Sequence, residues 1–178
     1  MSRLTRLGFF LSLLFIIAGC AQQHGSYAYN HGHTHGHGHT HTLHDGIVVP
    51  LFSAQQPVGF AELKLHDDKG DLELWLAKDN AGGNPFDLPL NSEITVSFIK
   101  LDTKTATLQV RNIEKNEDED GKGNIRGSKT NYFIFPGDTG ADATFLTGKE
   151  FASEVVISFV VDGVIYTTET FKLRPHTH

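Results

Sequence analysis

From residue 45 onward, apolar and polar residues alternate with period two over several short stretches, the mark of strands with one face buried. Ala61, Leu63 and Leu65 alternate with Glu62, Lys64 and His66, and Leu72, Leu74 and Leu76 alternate with Glu73 and Trp75. Between them, Asp67-Asp68-Lys69-Gly70 reads as a hairpin turn. Further strands are predicted over 94–101, 106–113, 131–135, 155–161 and 164–173, and Asp162-Gly163 is a hairpin dipeptide joining the last two. One short helical stretch is predicted over 141–146, after a turn at Pro136-Gly137-Asp138. Alternating positions such as Leu63, Leu74, Val96, Val110, Ile157 and Phe159 are expected to be buried. About seven or eight short strands with almost no helix predict an all-β body, a single immunoglobulin-like β-sandwich, with a small β-barrel as the alternative.

The chain ahead of the body has a different character. Arg3 and Arg6 make a basic start, and the apolar run from Leu7 to Ile17 is too short to span a bilayer. Ile17-Ala18-Gly19-Cys20 then resembles the lipobox of bacterial lipoproteins, which implies diacylation of Cys20 and cleavage before it. An ordinary signal peptide, cut nearby and leaving a free thiol, is the plainer alternative. Because Ala21 and not Asp follows the cysteine, the same resemblance implies an outer-membrane anchor facing the periplasm of a Gram-negative envelope. Residues 21–42 are almost only Gly, His, Thr, Gln, Ser, Tyr, Asn and Ala, a composition that cannot offset its ordering entropy by burial. They are expected to form a disordered tether with a reach of roughly 25 to 30 Å. The chain thus divides into a signal peptide (1–19), a lipidated His-rich leader (20–44), the β-sandwich (45–173) and a short tail (174–178).

Composition narrows the partners. Removing Arg3 and Arg6 takes the fifteen basic residues to thirteen against twenty-one acidic ones, a net charge of −8 with histidine neutral. An acidic chain is not expected to bind nucleic acid, which relies on a basic surface. Cys20 is the one cysteine and Met1 the one methionine, so disulfides and soft-ligand copper sites are excluded.

The chemistry sits in the histidines. His31, His33, His35, His37, His39 and His41 recur at every second position with Gly or Thr between them, flanked by His24 and His44. Imidazole is a common ligand for zinc, nickel, cobalt and copper(II), and small spacers let neighbouring rings turn to one ion. Many overlapping ligand sets predict moderate affinity, fast exchange and loose selectivity. A solubilising or pH-sensitive linker is the bland alternative. His66 on its strand, with His176 and His178 in the tail, makes a second candidate set, and termini lying close together would bring His44 to His176 and His178. The segment Asn116-Glu117-Asp118-Glu119-Asp120-Gly121 matches the first half of a calcium loop, but Gly127 stands where the bidentate Glu belongs. It is expected to be a solvated loop. No catalytic motif is found, and no enzymatic activity is expected.

At Ala61-Glu62-Leu63-Lys64-Leu65-His66-Asp67-Asp68-Lys69-Gly70 and the strand 72–76, the body resembles the small β-sandwich domain of His-rich, heavy-metal-linked envelope proteins. The stretches 131–135 and 161–166 fit the same pattern. Such domains occur beside or within adaptors of heavy-metal efflux pumps, although this chain lacks the adaptors' helical hairpin, lipoyl-like domain and barrel. The resemblance implies a metal-transport or efflux protein as partner. Together these features predict non-enzymatic binding of divalent transition metals, for buffering or delivery. An interaction or scaffold lipoprotein whose leader is only a tether is the alternative, and a glycan-binding sandwich, with Trp75 as sole tryptophan, is a weaker one.

Overall fold

The computed structural model describes residues 42–102 and 104–176. Twelve strands follow in order: β1 (Ile47–Ser53), β2 (Gln56–Leu65), β3 (Leu72–Ala77), β4 (Leu88–Pro89), β5 (Ile94–Phe98), β6 (Thr105–Leu108), β7 (Ile125–Arg126), β8 (Lys129–Thr130), β9 (Tyr132–Phe135), β10 (Ser153–Val161), β11 (Val164–Thr168) and β12 (Phe171–Leu173). Single 3-10 turns at Gly137–Thr139 and Thr144–Leu146 are the helical content of the described residues, the second falling within the stretch predicted as helix. Neither is long and apolar enough to cross a membrane.

The body is all-β, as the alternation predicts. Eight strands form one continuous antiparallel sheet in the order β6-β5-β10-β11-β1-β2-β3-β9, while β12 pairs with β10 beside β11. The sheet curls until its ends nearly meet: Gln109, just beyond β6, exchanges backbone hydrogen bonds of 3.0 and 2.8 Å with Ile134 of β9. Near closure protects both edges, and the interior is a single core. Leu63, Leu74, Val96, Ile157 and Phe159 lie in it as expected, whereas Val110 is only half-buried. A small separate ladder, β4-β8-β7, stands outside the sheet.

The turns follow local chemistry. Asp162 and Gly163 both take positive φ, 51° and 76°, as a two-residue hairpin with right-handed twist requires, and Val161 pairs with Val164 across them. At 67–70 the turn closes through Gly70 N–H to His66 O (3.1 Å) and His66 N–H to Asp71 O (2.9 Å).

Three expected strands end early. The stretch 94–101 stops at Phe98, and 164–173 breaks at Glu169-Thr170 so that Phe171–Leu173 can pair with the start of β10. The stretch 106–113 stops because Asn112 Oδ1 accepts the backbone N–H groups of Glu114, Lys115 and Asn116, bending the chain and leaving Ile113 73% exposed. The strand β1 has no counterpart in the predicted pattern. Its Pro50 has no N–H to donate, and the ladder to β11 is confined to the next residues, Leu51 and Phe52.

One feature of this fold decides where chemistry can occur. The polar face of β2, β3 and β9 is not left to solvent: Glu62, Lys64, Glu73, Trp75, Tyr132 and Ile134 are all buried. The segment 111–131 folds back onto that face through Asn116, bonded to Tyr132 O, and Glu119, bonded to Lys64, while His44 stacks on Trp75.

Candidate metal centre on the covered face

The acidic segment is a folded cover. Asn116, at φ 48°, is buried; its Oδ1 accepts the Arg111 N–H (2.9 Å), and its Nδ2 donates to Thr130 Oγ1 (2.9 Å) and Tyr132 O (2.8 Å). Asp118 is only 8% exposed, with Oδ1 accepting the Lys122 N–H (2.9 Å) and Oδ2 the Asn124 Nδ2 (3.1 Å). The segment is solvated at Glu119, Asp120 and Gly121, as expected, but the expectation is corrected at Asn116 and Asp118, which are buried. The side chains of Asn116 and Asp118 serve as internal hydrogen-bond acceptors for the backbone N–H groups of Arg111 and Lys122. The oxygens of Asn116 and Asp118, positions one and three of the calcium pattern, are engaged in those bonds.

This cover delivers Glu119 to the strands. His66 follows the last residue of β2, and Glu73 lies on β3 across the turn, where Lys64 and Glu73 are register partners. The imidazole Nε2 of His66 lies 3.0 Å from Glu73 Oε2 and 3.6 Å from Glu119 Oε2. Each carboxylate is held by its other oxygen: Glu73 Oε1 accepts the Tyr132 hydroxyl, and Glu119 Oε1 accepts the Lys64 ammonium. Lys64 and Glu73 are each only 4% exposed, so their polar atoms are met by protein partners and not by bulk water.

The electrostatics follow. The hydrogen bond to Glu73 raises the pKa of His66, outweighing the opposing effect of burial. Burial pushes Glu73 up, but the hydrogen bonds from His66 and Tyr132 prevail and leave it below the ordinary carboxylate value. Burial first, and then the Glu73 charge, push the Tyr132 phenol well above its usual range, so it remains a proton donor. A cavity of about 220 Å³ opens beside the triad, lined among others by Asp68, Asp71 and Arg111.

A second cavity, of about 350 Å³, shares Glu119 with the first and is also lined by Lys64, Asp118, Asp120, His44 and His176. His44 stacks on Trp75 at 4.0 Å between ring centroids and 5° between planes. Its backbone N–H and that of Gly46 both donate to Glu62 Oε1, at 3.0 and 2.9 Å. A Cβ on Gly46 would lie 2.8 Å from Glu62 Cγ, so glycine permits this close approach. Burial lowers the pKa of His44, against the attraction of Glu62 and Asp118. The His176 N–H donates to Leu65 O (2.8 Å), fixing the C-terminal segment at the end of β2.

Of the histidines proposed as ligands, the fold thus brings His44 and His176 to one cavity and His66 to its neighbour. Cys20, His24, His31, His33, His35, His37, His39, His41 and His178 lie outside the described residues. Glu73, Glu119, Lys64 and Tyr132 were missed by sequence reasoning. Hairpin register across residues 67–70 could have indicated Lys64, His66 and Glu73 as neighbours, but no local signal points to Glu119. No family model, no characterised protein and no solved structure matches this chain.

Proposed function

We propose that this chain is a non-enzymatic, lipid-anchored envelope protein that binds divalent transition metals, its leader collecting exchangeable ions and its all-β body receiving them. The observation that carries this reading is the docking of His44, the last histidine of the leader, into the cavity that also holds His176, Asp118, Glu119 and Asp120. Imidazole and carboxylate together suit zinc, nickel, cobalt and copper(II), and His44 follows the last tract histidine, His41, by only three positions in the sequence. Buffering or delivery to a metal-transport or efflux protein at the outer membrane is the role this supports.

Calorimetric titration with zinc at neutral pH tests it. The full chain should bind several ions, and changing His31, His35 and His39 to Ala should lower capacity stepwise, because overlapping ligand sets substitute for one another. No binding at neutral pH would remove the metal reading.

A scaffold reading is favoured by one observation, the exposed apolar Val160, Val164 and Ile165 around the β10–β11 hairpin. Deleting residues 24–44 separates the two. Metal tolerance of the host cell should fall if the leader collects ions and persist if it is a tether.

A further inference from the structure

We infer that His66, Glu73 and Glu119 form a discrete zinc-class site in the body, distinct from the leader, with one imidazole nitrogen, two carboxylate oxygens and a fourth position open to the adjoining cavity. This deepens the metal-binding reading above, from which it takes its physiological sense, but its geometry stands on its own.

The three donor atoms, His66 Nε2, Glu73 Oε2 and Glu119 Oε2, all lie within 4.8 Å of one another. For metal–ligand bonds of about 2.0 to 2.2 Å, the edge of a tetrahedron is about 3.3 to 3.6 Å. The observed 3.0 and 3.6 Å from Nε2 to the two carboxylates bracket that edge. The third edge, from Glu73 Oε2 to Glu119 Oε2, is no longer than 4.8 Å, and Glu119 is 39% exposed.

Orientation argues for the same site. Glu73 turns Oε2 inward because Tyr132 holds Oε1, and Glu119 turns Oε2 inward because Lys64 holds Oε1. Donors that grip the far oxygen of a ligand carboxylate are what orient metal ligands in general. Lys64 also repels a dication, which sets a moderate affinity and an exchangeable ion. The fourth position faces the 220 Å³ cavity, large enough for water or for a ligand passed from a neighbouring imidazole. Glu119 lines both cavities, so the site adjoins the one where His44 docks.

The test uses the full-length chain with every histidine except His66 changed to Gln, so that any imidazole-bound zinc must be bound by His66. Zinc titration should show one ion per chain, with a zinc X-ray absorption spectrum of a single imidazole in an oxygen shell. Adding E73Q with E119Q should abolish binding, and Tyr132→Phe should weaken it about tenfold or more through loss of orientation. Absence of binding in the His66-only chain, or binding that survives E73Q with E119Q, overturns the site. If the multiple substitution prevents folding, as judged by circular dichroism, His66→Ala in the otherwise intact chain decides the question. Zinc stoichiometry should then fall by one, and an unchanged stoichiometry refutes the proposal. A wild-type chain whose leader binds nothing would end the collecting role while leaving the His66 result to stand or fall alone.

Discussion

Replacing Asn116 by Ala should detach the cover from the barrel, because this side chain joins the acidic segment to β8 and β9. Its amide accepts from Arg111 and donates to Thr130 and Tyr132, and all three bonds are between 2.8 and 2.9 Å at a site with no solvent exposure. Truncation leaves the Arg111 N–H and the Tyr132 carbonyl short of a partner, and each buried unsatisfied group costs about 1 to 3 kcal/mol. Asn also tolerates the positive φ of 48° better than Ala, which adds about 1 kcal/mol. The expected destabilisation is therefore about 3 to 7 kcal/mol. Asn116→Gly loses the same bonds without the backbone penalty and should be less damaging than Ala by about 1 kcal/mol. Urea unfolding should be followed by circular dichroism for the sheet and by Trp75 fluorescence for the cover, since Trp75 lines the same cavity as Asp118 and Glu119. Where the cover opens before the sheet, the fluorescence transition of the Ala variant should precede the dichroism transition. A destabilisation below about 1 kcal/mol with unchanged Trp75 emission would refute the reading of a folded cover.

Other outcomes are equally specific. The His66–Glu73 pair should stabilise the metal-free protein most between pH 4.5 and 6.5: His66 loses its contribution as pH rises above 6.5 through its raised folded pKa, and Glu73 loses its own as pH falls below 4.5 through its lowered one. In chelator, the stability difference between wild type and His66→Asn should shrink toward alkaline pH, and a flat difference from pH 5 to 9 would contradict the pairing. Leu74→Ala, at a fully buried core position, should cost about 2 to 5 kcal/mol by denaturant titration, and a loss under 1 kcal/mol would contradict the packing. Mass spectrometry of the natively processed chain should find acylated Cys20 at its N-terminus, and an unmodified chain cut elsewhere would exclude the lipid anchor.

Much of the body was legible in the sequence because strand burial imposes a two-residue period. That period identified β2, β3, β5, β9 and β10 and the two hairpins around Asp67–Gly70 and Asp162-Gly163. It failed at β1, where Pro50 interrupts the pattern, and at Ile113, where an apolar residue in register with β6 is carried outward by the Asn112 turn. The polar partners of the alternation were the larger difficulty. Lys64, Glu73 and Trp75 have the pattern of a solvent face, yet each is buried.

What the sequence by itself determined was the all-β class, most core positions and the residue types able to bind metal, since these depend on local periodicity and ligand chemistry. Which residues stand together was decided by tertiary structure alone. Glu119 is 46 positions from Glu73 and 53 from His66, and His44 and His176 come from opposite ends of the described chain. They meet because the curled sheet presents β2 and β3 side by side, and because Asn116 and Asp118 satisfy the backbone of a loop that would otherwise be free to stay in water. Such long-range closure depends on hydrogen bonds between distant segments, for which a local pattern of apolar and polar residues carries no signal.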